Sequence, residues 1–344
     1  MGDDESLDDA SASASASASA DAGVDPPRRR NWRLYARIAA VLSLAAVLAP
    51  VVVRLTGWEA GPLAYVVSLL PWVVVAFFVP LSLALLGRSK TLAIAAVVPL
   101  AVGVYTIQPL FWSWNVVTGD DIELRVATVN ATFGQADADA IVAMVRDHEI
   151  DVLAVQELTP GEVRRLESAG LDDALPYSEV HAEEGFTGTG LWSRLPMGAT
   201  RDVPGLSART VTGTVEVGFI SLVVYAVHPA APGPFDHSLW EADMVALAKL
   251  SPPSEGPVLI MGDFNATRDH SAFRHLESLG YDDAADQAGA GFMPTFPQGR
   301  LPFPLVAIDH MVIRGSLLSA VSVSTVVIPG ADHRALVATY AWQG

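Results

Sequence analysis

Three long apolar stretches near the N-terminus constrain this chain more than any other feature. Residues 34–53 carry one charge, Arg37 near the start, and residues 63–86 and 91–114 carry none. A bilayer core takes about 20 residues of helix, and each stretch reaches that length. None has the polar face that a helix on a soluble domain presents to water. Pro50, Pro71, Pro80 and Pro99 lie inside them, where a membrane helix tolerates proline better than a soluble one does. The pattern predicts three transmembrane helices within residues 31–118.

Basic residues set the orientation. Arg28, Arg29, Arg30, Arg33 and Arg37 precede or open the first stretch, and Arg88 and Lys90 separate the second from the third. Between the first two lies only Arg54, offset by Glu59, and Asp120, Asp121 and Glu123 follow the third. The positive-inside rule then places the N-terminus in the cytoplasm, and an odd number of crossings places the C-terminal domain outside it. Residues 1–30 combine an acidic start, a Ser-Ala alternation and Pro26-Pro27. That composition cannot bury a core and predicts a disordered tail, and the first apolar run begins too late for a signal peptide.

The chain has no cysteine, so disulfides and thiolate metal sites are excluded. Its formal net charge of −17 gives no general attraction for nucleic acid or anionic lipid. Any affinity for phosphate must therefore be local, and a divalent cation is the direct way to supply it.

Residues 119–344 read as one domain whose apolar pattern switches between periods of two and 3.6. Strands are expected at 124–130, 152–155, 211–217, 220–227, 258–261, 308–313, 321–328 and 336–342, with helices near 138–145 and 235–250. Many strands with few helices between them predict an α+β fold: a two-sheet β-sandwich flanked by helices, in four layers α/β/β/α. No internal repeat is present.

Polar residues able to bind a metal stand at the ends of these strands: Asn130, Gln156-Glu157, His228, the run Gly262-Asp263-Phe264-Asn265, Asp309, and Asp332-His333. In this order they resemble the endonuclease/exonuclease/phosphatase superfamily, which includes deoxyribonucleases, abasic-site endonucleases, sphingomyelinases and inositol polyphosphate phosphatases. The resemblance covers about residues 123–344. It implies a metal-dependent phosphoric-ester hydrolase using Mg²⁺ or Mn²⁺, in which a hard cation neutralises a phosphate oxygen and water attacks phosphorus.

By the same resemblance, Glu157 is the metal-ligand glutamate, with Asn130 and Asp332 binding the metal or ordering its shell. Taken alone, Glu157 could equally cap a helix at Thr159-Pro160. Asp263 and Asn265 hold the phosphate and the attacking water; two residues apart, they face one way in an extended strand. His333 is the base or a phosphate contact, oriented by Asp309, and His228 protonates the leaving oxygen; which histidine is acid and which base stays open. Arg209 precedes a strand where a phosphate-facing arginine fits, or is a surface residue. His148, His181, His237, His270 and His275 read as structural or exposed, and His310 should face away from Asp309.

Three functions fit: a phosphodiesterase or nuclease for nucleic acid or another soluble phosphoester, a sphingomyelinase-like lipid phosphodiesterase, and a catalytically inactive binding module tethered to the bilayer. All expected catalytic positions are filled, which disfavours the last. The short 115–121 linker and the direction of the first strand predict a cleft opening away from the membrane. The orientation has its own test. A tag at the C-terminus should be cleaved by protease added to intact cells or protoplasts, and protection until permeabilisation would reverse the assignment.

Overall fold

The structure is a computed structural model describing residues 31–113, 123–250, 256–315 and 317–342. The N-terminal tail and the 115–121 linker lie outside the described residues.

Alternation along the strands builds the layers. In the strand Ile220–Val227, Leu222, Val224 and Ala226 enter a core between two sheets, while Val223, Tyr225 and Val227 enter a second core on the outer side. The same division separates Val152 and Ala154 from Leu153 and Val155 in the strand Val152–Gln156. A strand buried on both faces in this way needs covering layers on both sides. Ala138–Asp147 and Pro160–Ser168 cover one sheet, through Ile141, Val145 and Leu166. Ser238–Ala248 and Ser271–Ser278 cover the other, through Trp240, Met244 and Phe273.

The strands are β1 (Glu123–Asn130), β2 (Val152–Gln156), β3 (Tyr177–His181), β4 (Thr189–Ser193), β5 (Met197–Asp202), β6 (Val211–Val217), β7 (Ile220–Val227), β8 (Val258–Asp263), β9 (Asp282–Asp283), β10 (Asp309–Arg314), β11 (Leu318–Val327) and β12 (Arg334–Trp342). They form two six-stranded mixed sheets, in the orders β11-β12-β1-β2-β4-β3 and β5-β6-β7-β8-β10-β9. The sandwich and its helical layers are those expected from the sequence, and β3, β4, β5 and β9 are additions to it.

Topology places the site. β1 runs parallel to β2 in one sheet, and β7 parallel to β8 in the other. β12 is antiparallel to β1, and β10 to β8. The chain therefore leaves β1, β2, β7 and β8 at one edge of the sandwich, and enters β10 and β12 at that same edge.

The apolar region differs from the three-span expectation. Among the described residues, two helices are long and apolar enough to cross a membrane, Trp32–Thr56 and Lys90–Phe111. The first is α1; the second comprises α5 (Lys90–Ile107) and the 3₁₀ turn Gln108–Phe111. The middle run is divided into α2 (Leu63–Ser68), α3 (Leu70–Ala76) and α4 (Phe78–Leu86), with breaks at Leu69 and Phe77. Pro71 and Pro80 each lack a backbone donor in this stretch, which weakens a continuous ladder. Leu44, Val51, Leu70, Val73, Phe77 and Ala96 pack the helices together.

Gly262 permits the closest approach in the second sheet. A Cβ there would lie 2.0 Å from the Val227 carbonyl oxygen on neighbouring β7, and its φ is +153°. Gly262→Ala should therefore destabilise the domain by roughly 1–3 kcal/mol, the usual cost of overpacking. Denaturant titration of the full chain in detergent measures this, and an unchanged midpoint would refute the steric reading.

Candidate active site

Asp263 ends β8 with 1% exposure. A buried carboxylate must be hydrogen-bonded or paired, and each partner here comes from a different segment. Asn130, at the end of β1, donates Nδ2–H to Asp263 Oδ2 at 3.0 Å. The Asn265 backbone N–H donates to Oδ1 at 2.8 Å. His228, just past β7, brings Nε2 to 3.5 Å from Oδ2, and His333, just before β12, brings Nε2 to 3.7 Å. Burial would raise the Asp263 pKa, but the two imidazoles and the Asn265 N–H outweigh it and hold it down at about 2.

His333 is fixed from its other side. Its Nδ1 lies 2.8 Å from Asp309 Oδ2, so Nδ1–H donates to that carboxylate and Nε2 is left facing Asp263. Burial favours the neutral ring, yet Asp309 and Asp263 together push the pKa up to about 10. The ring of Phe296 packs over it with centroids 4.8 Å apart. His228 is set the same way: Nδ1–H donates to the Phe186 carbonyl at 3.0 Å, and Nε2 points at Asp263 and Glu157. Burial pulls its pKa down, and Asp263 and Glu157 more than reverse that.

Glu157 follows β2 at a φ of +53°, a costly conformation for a side chain with a Cβ. Its Oε1 accepts from Asn130 Nδ2 at 3.1 Å and its Oε2 from the Phe133 N–H at 2.8 Å. It caps no helix; Thr159 caps the following one by accepting from Glu162 N–H. Thr132, Phe133 and Asn265 also have positive φ. The backbone around the cleft is thus bent at four non-glycine residues.

Other sequence expectations need adjustment. Asp263 and Asn265 do come together, but through a tight turn at Asn265 (φ +48°) rather than by strand alternation. Asn265 Nδ2 donates to the Pro229 carbonyl at 3.0 Å and lies 3.4 Å from His228 Nε2. Arg209 is committed elsewhere, with its guanidinium paired to Glu183 and Asp202 at 2.7 Å each. Asp332 accepts from Thr132 Oγ1 at 2.7 Å and from Arg300 at 2.9 Å. His310 does face away from Asp309, with Nδ1 2.6 Å from Asp283. His148 and His275 are exposed, and His237 and His270 are buried structural residues.

The cleft does not open away from the helical bundle. Tyr65, Ser68 and Leu69 of the middle apolar run line the same cavity as Asn265 and His333. No local pattern announces this wall, nor Phe296, because both arrive through contacts distant in sequence.

Two groupings could hold a cation. Glu157 and Asp263 supply carboxylate oxygens, the donors a hard ion takes, while Asn130 turns its Nδ2–H to both and its Oδ1 to the Thr132 N–H. Among the described residues, Asp263, Asp309 and His333 also bring ligating atoms within 4.8 Å of one another. In the second group His333 favours its charged form, which leaves no ring lone pair for a cation, so Glu157 fits a metal better, with Asn130 and Asp332 beside it.

A model of the Endonuclease/Exonuclease/phosphatase family matches residues 113–333. No curated protein matches the sequence. Solved structures with the same fold include an endonuclease/exonuclease/phosphatase from Beutenbergia cavernae, 19% identical with a TM-score of 0.53, covering 65% of this chain and 72% of that one. D. rerio TDP2 complexed with a single-strand DNA product is 15% identical with a TM-score of 0.52, covering 64% and 100%. A mannosyl-6-phosphatase from Bacteroides thetaiotaomicron is 16% identical with a TM-score of 0.51, covering 63% and 99%.

The His333 geometry generates a titration test. With its folded pKa raised from 6.5 to about 10, the charged ring contributes stability in full below 6.5, and this is lost as pH rises through about 10. In metal-free protein, ¹⁵N NMR should show His333 doubly protonated up to about pH 9, one unit short of that midpoint. Asp309→Asn should bring the titration down by at least about one unit, as loss of a charge partner does. A midpoint near 6.5 in the unsubstituted protein would refute the pairing.

Proposed function

The chain belongs to the Endonuclease/Exonuclease/phosphatase family, and from that premise we propose that it is a membrane-anchored, Mg²⁺- or Mn²⁺-dependent phosphodiester hydrolase acting outside the cytoplasm. The observation that carries this reading is the buried Asp263 carboxylate held between His228, His333, Asn130 and Asn265 at the edge where both sheets end. Solved neighbours include both a TDP2 bound to a DNA product and a mannosyl-6-phosphatase, so the fold alone does not select a substrate.

Each group has a role in this reading. Bound at Glu157, with Asn130 and Asp332 alongside, a divalent cation would neutralise charge on a non-bridging phosphate oxygen. Asp263 and Asn265 orient the attacking water. Its oxygen forms the new bond to phosphorus, its proton passes to the Asp263 carboxylate, and the bond to the leaving oxygen breaks. Asp309 and Asp263 favour the charged form of His333, and its Nε2–H suits a phosphate oxygen, where a fixed cation stabilises the growing charge. His228 favours its protonated form and aims Nε2 into the same space, so it can pass a proton to the leaving oxygen. Asp309 acts through His333 as a positioning residue.

Hydrolysis should stop in EDTA and return with Mg²⁺ or Mn²⁺; full activity in metal-free buffer would refute the mechanism. His333→Ala or Asp263→Asn should lower kcat by about a hundredfold or more, the usual scale for acid–base and electrostatic groups. Exposed His275→Ala should be nearly silent, and equal damage at His275 would overturn the site assignment.

A further inference from the structure

The bundle segment 57–72 is built into the catalytic domain. The His237 Nε2–H and His270 Nε2–H donate to the Gly61 and Ala64 carbonyls at 2.8 and 3.1 Å. Tyr65 donates its hydroxyl to the Pro232 carbonyl at 2.5 Å, and Trp72 Nε1–H donates to the Leu305 carbonyl at 2.7 Å. The Trp72 ring also packs against Phe292 and Phe303, with centroids 5.7 and 5.6 Å apart. These contacts fix α2 across the cavity from Asn265 and His333.

The cavity has a volume of about 420 Å³. Asn265 and His333 line it together with Tyr65 and Leu69 of the bundle and with Phe296 and Val306 of a loop. Among the described residues, no lysine or arginine lines it. A nucleic-acid strand brings a charged phosphate with every nucleotide, and its affinity rests on such cations. This cavity offers one phosphate locus continuing into an apolar wall. The loops forming that wall also expose large apolar side chains beside the bundle: Phe235 at 82%, Trp58 at 69% and Phe303 at 52%. Exposed aromatic residues are suited to a bilayer interface.

We propose that the 61–72 segment is the substrate-selecting wall of the cleft, and that it receives the hydrocarbon part of an amphiphilic phosphoester drawn from the bilayer around the bundle. The inference rests on the hydrolase reading above and adds the class of substrate. The phosphate lies at Asn265 and His333, and the hydrocarbon lies along Leu69, Phe296 and Val306.

A pair of chromogenic phosphodiesters isolates the wall: hexadecyl and methyl p-nitrophenyl phosphate share the scissile bond and leaving group and differ only in the tail. Full-length protein in lipid nanodiscs with Mg²⁺ should favour the hexadecyl ester in kcat/KM by roughly tenfold or more, the discrimination that burying about two methylenes provides. Leu69→Gln, at a half-exposed position, should move that ratio towards one. A hexadecyl phosphonate with a photoreactive group at its tail end should label residues 61–72, a readout that does not depend on the variant folding. Equal rates on both esters, with a ratio unmoved by Leu69→Gln and no labelling of the segment, would overturn this inference and leave the hydrolase reading standing. Failure to cleave either ester by correctly folded, Mg²⁺-loaded protein would overturn both.

Discussion

The buried charge of Asp263 organises the candidate active site. An ionised carboxylate away from water is costly unless hydrogen-bonded and paired, and β8 alone supplies only the Asn265 N–H. The remaining compensation arrives from Asn130 and His333 on one sheet and His228 on the other. Neither sheet can satisfy the charge alone, so the stacking that forms the apolar core also assembles the site. His333 in turn needs Asp309, across from Asp263 in the β10–β8 register. The result is an alternating row of carboxylates and imidazoles whose charges stabilise one another.

Where the sequence carries a local signal, it predicts the structure closely. β7 and β8 are continuous apolar runs, and the polar residues that end them mark the active edge without any structural information. β3 and β5 escape the same reading because they lie at sheet edges and bury little: Tyr177 and Ser178 are exposed, as are Gly198 and Ala199. The middle apolar run departs from its expectation for a different reason. Hydropathy counts apolar residues and not helical continuity, so it cannot register the breaks at Leu69 and Phe77. Arg209 shows a third kind of limit. A guanidinium ahead of a strand suits a phosphate, but Glu183 lies 26 residues away, and no local pattern reveals that the charge is already taken.

The positive charge of the site is concentrated in histidines. In a chain of net charge −17, a free arginine at the cleft would readily be neutralised, as Arg300 is by Asp332 and Arg209 by its two partners. A buried imidazole between two carboxylates keeps its proton and still presents one N–H, with little room for a competing acid to approach. Acidity elsewhere in the chain and cationic character at the cleft are therefore compatible, with burial separating them.

A flexible linker would normally leave a catalytic domain free to tilt on its anchor, and the sequence places only a short segment between the last apolar run and β1. The structure shows that orientation does not rest on that linker. Both helix ends that approach the domain are tied to it: Arg54 pairs with buried Asp269 at 2.7 Å, and the Leu110 carbonyl accepts from the Gly291 N–H at 2.6 Å. His270, which read as a structural histidine, is central to this seam. Burial depresses its pKa to about 4, and the neutral ring accepts from the Thr267 N–H at Nδ1 while donating from Nε2 to Ala64. Protonating Nδ1 would remove that acceptor, so the bond pattern itself selects the neutral form across the ordinary pH range. The seam pairs side chains of the domain with backbone carbonyls of the bundle, and Tyr65 of the bundle with a carbonyl of the domain, in bonds spanning more than 150 residues of sequence. Such a contact holds the cleft against α2 in a fixed pose, which makes the bundle part of the site's geometry.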